Sequence, residues 1–256
     1  MNAAFTSLIL FLDRFRRRMP IIFRAVVGGL AVLAAFLTLD ACFPVPVRVP
    51  YSTIVTASDG TVIYSFLSPD DKWRMKTELP EIIPALKTAI ITKEDKWFYW
   101  HLGINPVAVV RAAFKNVFHW RTTSGASTIT MQVARLLAPK ERTVWNKITE
   151  GFRALQLECH YSKDEILQLY LNLVPYGGNI EGVKAASLLY FGRLPDHLSL
   201  AQITTLAIIP NRPTTLALGK NNELIQTERN KWLRRFQASG SFPEKDIQDA
   251  LTEPLD

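Results

Sequence analysis

The segment TKEDKWFYWHLG, from Thr92 to Gly103, decides how this chain is read. It joins the end of an apolar helical run (Ile82, Ile83, Leu86, Ala89, Ile90) to four consecutive aromatics, Trp97, Phe98, Tyr99 and Trp100, with Glu94 and Asp95 at the junction. A carboxylate at a helix exit beside apolar walls can have its proton affinity tuned and act as a proton acceptor. The plainer reading of such an acid is a cap or a surface charge, so the neighbouring stretches have to decide.

The next informative stretch is SGASTITMQVARLL, Ser124 to Leu137, which follows after room for one intervening helix. A small-residue loop running into a helix amino terminus offers free backbone donors and hydroxyls to an anion, although most such junctions are plain caps. Gln132 and Arg135 lie three apart and share a face, with Thr128 one turn before Gln132 on the same side. An amide and a guanidinium can therefore point into one cleft. In NKITE, Asn146 to Glu150, Lys147 and Glu150 also share a face. Alone, that pair reads as a solvated ion pair worth ~0.3–0.5 kcal/mol. Gathered in one cleft, Arg135, Arg142 and Lys147 are costly together unless a ligand's negative charge enters.

Working outward, 256 residues with 48% hydrophobic content hold one sizeable domain plus an anchor and exclude a disordered chain. The net charge of +7 favours polyanionic partners. No helix-turn-helix, zinc-finger or RNA-binding signature is present, so an anionic membrane or a phosphorylated substrate is expected and no nucleic acid. Arg14, Arg16, Arg17 and Arg18 precede Ile21–Leu39, which is apolar apart from Arg24 and Thr38 and reads as one membrane span. The arginine bias predicts a cytoplasmic amino terminus, with the rest of the chain on the outer side. A cleaved signal peptide is the alternative; against it stand the long basic lead and the lack of a clean small-x-small site. Leu39-Asp40-Ala41-Cys42 loosely resembles a lipoprotein box in which Asp40 fits poorly, which leaves lipidation of Cys42 open. Cys42 and Cys159 make no disulfide framework and are expected unpaired.

The organisation that follows is a basic tail at 1–18, an anchor at 19–43, a stalk with a β-hairpin at 44–80 and a helical domain at 81–256. Phe43–Pro50 carries three prolines and should run extended. Tyr51–Phe66 alternates around Asp59-Gly60 and predicts a hairpin, the only convincing β element. Helices are predicted from Pro84 through Thr92, from Asn105-Pro106 to about Phe118 with Val107, Val110, Ala113, Phe114 and Val117 buried, and from near Ser127 to Pro139. Thr143 should cap a helix to about Tyr161, and Ser162 with Glu165 forms a capping box for another through Leu173. Pro175–Asn179 (PYGGN) reads as a loop. Helices are expected again over Glu181–Phe191, from Ser199 to before Pro210, Glu223–Ala238 and Pro243–Leu251.

TKEDKWFYWHLG, GASTITMQVAR, NKITEGFRALQLE, SKDEILQLYLNLVPYGGNIEGV and LSLAQITTLAIIPNRP occur in an order and spacing that resembles the peptidoglycan glycosyltransferase domain, glycosyltransferase family 51, of class A penicillin-binding proteins and monofunctional transglycosylases. The likeness runs from about Val55 to Pro213, and STITMQVARLL, RALQLE and YGGNIEG are most similar to the 1C subgroup. The resemblance implies a mainly α, lysozyme-like domain, with a small β-hairpin and one transmembrane helix before it, in a bacterial inner membrane. It implies polymerisation of lipid II into β-1,4 glycan with inversion and release of undecaprenyl pyrophosphate. Glu94 would be the general base and Glu150 the second acid, orienting the pyrophosphate or its metal ion. Ser127, Thr128, Gln132, Arg135, Arg142 and Lys147 would line the sugar and pyrophosphate sites, and Asn172 would support the cleft. The expected partners are lipid II, the lipid-linked glycan chain, the anionic membrane and other cell-wall synthesis proteins. Nothing in the sequence requires a cofactor; a divalent cation such as Mg2+ at Glu150 is the one metal the resemblance leaves room for.

This assignment fits the chemistry. A pyrophosphate leaving group needs cationic stabilisation, and an alcohol nucleophile needs a base partly withdrawn from water. His101 is a rival base, although a histidine holding the loop by hydrogen bonding is the simpler reading. Ala126, Met131 and Asn146 depart from the family's common residues, the last at a position often occupied by arginine. No Ser-x-x-Lys, Ser-x-Asn or Lys-Thr-Gly set occurs, so no transpeptidase is expected in this stretch, which is either a monofunctional enzyme or part of a longer one. Two other functions compete: a lysozyme-like glycan hydrolase, disfavoured by the span and the basic cluster, and a catalytically weak scaffold or binding protein, disfavoured by the presence of both Glu94 and Glu150.

Overall fold

In a computed structural model the described residues are 21–58, 60, 62–111, 127–141, 143–216 and 218–255, with Ile22 described by its backbone alone. They fall into two compact units, Met1–Val45 and Pro46–Asp256. Within the first, α1 (Ile21–Cys42) contains a window, Phe23–Cys42, long and apolar enough to cross a membrane by length and composition. The hydroxyl of Thr38 donates to the Ala34 carbonyl at 2.8 Å, so the polar side chain in this apolar helix is satisfied within it. The arginines at 14–18 lie outside the described residues.

The second unit begins with the hairpin, β1 (Ile54–Thr56) antiparallel to β2 (Val62–Ser65), with Ile54 opposite Ser65. A second sheet that sequence reading did not anticipate stands beside the helices. β3 (Trp73–Arg74) pairs in parallel with β5 (Ile180–Glu181), and β4 (Pro175–Gly177) pairs antiparallel with β5. PYGGN is thus half strand and half turn: Gly177 and Gly178 take positive φ of 115° and 56° and reverse the chain, and Tyr176 between them and Pro175 is buried. Arg74 locks this sheet. Its guanidinium donates to Glu181 Oε2 at 3.0 Å, to Asp70 Oδ2 at 2.9 Å and to the Pro50 carbonyl at 2.6 Å, so a buried cation is fully partnered.

The mainly α architecture predicted from the periodicity is the one observed. α2 (Pro84–Glu94) starts on proline and ends on the acid of interest. α3 (Ile129–Leu137), α4 (Val144–His160) and α5 (Lys163–Leu173) are capped by Thr128, Thr143 and Ser162, whose hydroxyls accept from the backbone nitrogens of Met131, Asn146 and Glu165. The predicted Ser162 and Glu165 capping box is present. α6 (Val183–Phe191) begins two residues later than expected because Glu181 is in β5. α7 (Leu200–Ile208) is the central helix, with Ala201, Ile203, Leu206, Ala207 and Ile208 buried, and it packs on α2, α6, α8 (Asn222–Ala238) and α9 (Glu244–Thr252). Its buried Thr204 and Thr205 hydroxyls donate to the carbonyls four residues back, at 2.8 Å each.

The segment at 106–111 is helical, and Asn105 caps it, its side-chain oxygen accepting from Ala108 N at 3.0 Å. The expected burial of Val107 and Val110 does not hold: both are exposed. Periodicity identifies which residues share a face and not whether another element covers that face. Ala113, Phe114, Val117 and the polar loop at 119–126 lie outside the described residues. Cys42 and Cys159 are free and exposed, as expected.

Candidate active site

Glu94 is the last helical residue of α2, and its carboxylate has one partner on each oxygen. Lys93 Nζ pairs with Oε1, and Gln132 Nε2 on α3 donates to Oε2 at 3.1 Å. The Glu94 side chain is 10% exposed, the partial withdrawal from water that a base needs, and that of Lys93 is 1% exposed. Beneath it lie Tyr170 of α5 and Tyr176 of β4, fully buried, with hydroxyls that have no hydrogen-bond partner among the described residues. Burial, and then the charge of Glu94, push both phenols well above their ordinary value; Arg135 pulls Tyr170 back. Glu94 and Arg135 therefore act on one tyrosine.

Asp95, the next residue, does a different job. Its buried carboxylate accepts from the backbone nitrogen of Ile129 at 3.1 Å and lies 3.0 Å from His101 Nε2, tying the loop after α2 to the amino end of α3. His101 is thereby the loop-holding histidine and contacts Asp95 instead of Glu94. The same loop is braced by Lys163, whose ammonium donates to the His101 carbonyl at 2.6 Å and to Glu158 Oε1 at 2.8 Å and sits 4.6 Å from the centre of the Phe98 ring. Gly103, with φ of 75°, runs so close to α4 that an added Cβ would lie 2.9 Å from the Ala154 carbonyl oxygen.

A second set of groups converges at the start of α3. Lys147 Nζ on α4 donates to Ser127 Oγ at 2.7 Å and pairs with Glu150 Oε2 at 2.9 Å. Ser127 and Gln132 are five residues apart on one segment, which Glu94 meets directly at Gln132 and Glu150 meets through Lys147 at Ser127. A hydroxyl, an ammonium and a carboxylate in line can hold a phosphate group through the first two and orient it through the third.

Two residues expected to line the site have other work. The Thr128 hydroxyl is buried and spent in both directions, donating to the Gly103 carbonyl and accepting from Met131 N, as the cap geometry of α3 requires. Asn172 is buried too: its amide accepts from Thr77 N at 2.9 Å and donates to the carbonyls of Thr77 at 2.9 Å and Gln168 at 2.8 Å. It pins the approach to α2 onto α5, with its amide engaged inside the protein. Arg142 lies outside the described residues. Lys93, Lys163, Tyr170 and Tyr176 escaped sequence reading because a lysine in a charged stretch reads as solvated, a tyrosine at helical spacing such as Tyr170 reads as core, and Tyr176 sits in a stretch that reads as a loop.

Among the described residues no cluster of three His, Cys, Asp or Glu side chains suited to an ion occurs, and Glu150 stands against the ammonium of Lys147.

Around the site several large apolar side chains face outward, notably Trp97, Trp100, Leu102 and Val107 on one stretch and Val144, Trp145 and Ile148 on another. Exposed apolar side chains at this density mark a surface that meets lipid or protein.

The family model described as Transglycosylase matches residues 59–237. Among curated proteins the chain is 40% identical over 217 residues to Penicillin-binding protein 1C of Escherichia coli (strain K12), covering 84% of this chain and 28% of that protein. It is 36% identical over 211 residues to Penicillin-binding protein 1A of the same organism, covering 82% of this chain and 24% of the relative. With Penicillin-binding protein 2D of Bacillus subtilis (strain 168) it is 32% identical over 239 residues, 91% of this chain and 34% of the relative. The chain thus spans between a quarter and a third of the length of these relatives. With a family match over most of its length and the acid, amide and lysine of the expected motifs on neighbouring elements, the chain belongs to the transglycosylase family.

Proposed function

We propose that this chain is a peptidoglycan glycosyltransferase that polymerises lipid II into β-1,4 glycan strands. The observation that carries the reading is the pairing of Glu94 with Gln132 on the same segment whose Ser127 is bound by Lys147, beside Glu150. Glu94, with a lone pair left on each oxygen, takes the proton of the acceptor sugar's 4-hydroxyl as that oxygen attacks the anomeric carbon of the growing chain. The bond to undecaprenyl pyrophosphate breaks on the opposite face, and the configuration inverts. The departing pyrophosphate is received by Lys147 and Ser127, with Arg135 and Arg142 as further cations, and Glu150 orients Lys147. α1 anchors the chain in a bacterial inner membrane, with the amino terminus cytoplasmic, and the outward apolar side chains support seating the catalytic unit where a polyprenyl substrate is found.

The test is polymerisation of lipid II by the full chain in detergent, with and without a phosphoglycolipid that mimics the pyrophosphate. Glycan polymer whose formation the phosphoglycolipid blocks supports the reading. Shortening of preformed glycan, or no polymer at all, overturns it.

A further inference from the structure

Lys93 has no part in the mechanism above, yet it is the most deeply buried ammonium in contact with the site's acid. It sits in the last turn of α2, one residue before Glu94, paired to Glu94 Oε1, with its ammonium 5.7 Å from the centre of the Trp232 ring on α8. Arg212 and Glu228 line the small cavity behind it, and Arg235 stacks on Trp232 at 4.6 Å. From the other elements Gln132 faces Glu94 directly, and Tyr170, Tyr176 and, through Tyr170, Arg135 complete the charged and titratable surroundings. Lysine is almost never buried to this degree unless paired, and removing one partner of a buried pair leaves the other charge uncompensated. Burial holds the ammonium's proton affinity below its ordinary value, and the Glu94 carboxylate offsets only part of that loss.

We propose that Lys93 is a positioning residue for the base: with Gln132 on the opposite oxygen, its buried ammonium supplies the countercharge that holds the Glu94 carboxylate in place to accept the substrate proton. The inference rests on the assignment of Glu94 as the base. A lysine serving the fold alone would leave the pH profile where it is; a lysine that holds the carboxylate ionised sets the acid limb. Without the cation the largely buried carboxylate is protonated at higher pH, so the limb moves to the alkaline side.

The experiment measures kcat/KM for lipid II polymerisation by the full chain from about pH 5 to about pH 9. In Lys93→Met and Lys93→Gln the acid limb should move up by about one pH unit, making the loss at the acid end about tenfold larger than at the alkaline end. Lys93→Arg, which keeps the charge, should retain the wild-type limb. A loss by one constant factor at every pH, an unmoved limb, or a limb moved equally in Lys93→Arg would overturn the proposal. Thermal melts accompany each variant; Lys93→Gln, whose amide can still bond to the carboxylate, gives the reading if Lys93→Met does not fold. Glu94→Gln separates the two failures. If it stays active, the base assignment falls; if it is inactive while the neutral Lys93 variants keep the limb, only the role of Lys93 falls.

Discussion

Two lysine and glutamate pairs flank the same helix and differ in one physical respect. Lys93 and Glu94 have side chains 1% and 10% exposed, whereas Lys147 and Glu150 are 44% and 18% exposed. Screening by water makes the second pair weak and its lysine free to swing onto an incoming anion. The first pair is largely shielded from water, so its two charges hold each other, and Gln132 holds the second oxygen of Glu94. One chemistry, placed at two depths, is therefore suited to two tasks: fixing a proton acceptor, and greeting a charged leaving group. In the proposed mechanism the buried pair would hold the proton acceptor and the exposed pair would bind the leaving group.

The sharpest way to break this comparison is Glu94→Gln, which should lower the polymerisation rate by about 10²–10⁴-fold, read by single-turnover assay with lipid II, and also lower the melting temperature because the buried Lys93 ammonium loses its countercharge. Removing the neighbouring acid should act first on stability. Asp95→Ala leaves Ile129 N without its acceptor in a buried site, and should cost about 1–3 kcal/mol in urea unfolding. Its effect on rate should follow from the loosened junction between α2 and α3. At the exposed pair, Lys147→Ala should weaken binding of the phosphoglycolipid about tenfold in a competition assay and change stability by less than about 0.5 kcal/mol. A stability loss as large as that of Asp95→Ala would erase the distinction between the pairs.

The smallest expected effect belongs to Asp70, an outer partner of Arg74. The hydrogen bond from Arg74 holds its carboxyl below the ordinary value of 3.8, so the folded-state value lies under the unfolded one. The stability it contributes is present above about pH 3.8 and is lost as pH falls through the lower folded value. The difference in urea midpoint between wild type and Asp70→Asn should be seen at about pH 6 and vanish in strong acid.

Much of the helical unit could be read without coordinates. Thr143, Ser162 and Ser199 all cap where the pattern of hydroxyl and following Glu, Gln or polar residue places them, because a cap is a contact over three residues. The short sheet could not be read so. β3 and β5 are separated by about a hundred residues and are two residues long, so their pairing depends on Arg74 reaching Glu181 across the fold. Val107 and Val110 failed for a related reason, since exposure depends on what an element meets and not on its own periodicity. In the site, Gln132 and Arg135 were visible as a shared face. Thr128 and Asn172 were not separable from substrate-facing groups, since only coordinates show that their polar atoms are already used.

The sequence by itself determined the apolar span, the helix starts and stops, the order of the motifs and the residue types available for acid, amide and cation chemistry, all of which rest on contacts within a few residues. Only the tertiary structure decided that Asp95 braces the junction between α2 and α3, and which lysine is buried and which exposed. Those distinctions depend on how much water remains around each charge, and that depends on how distant segments of the chain pack together.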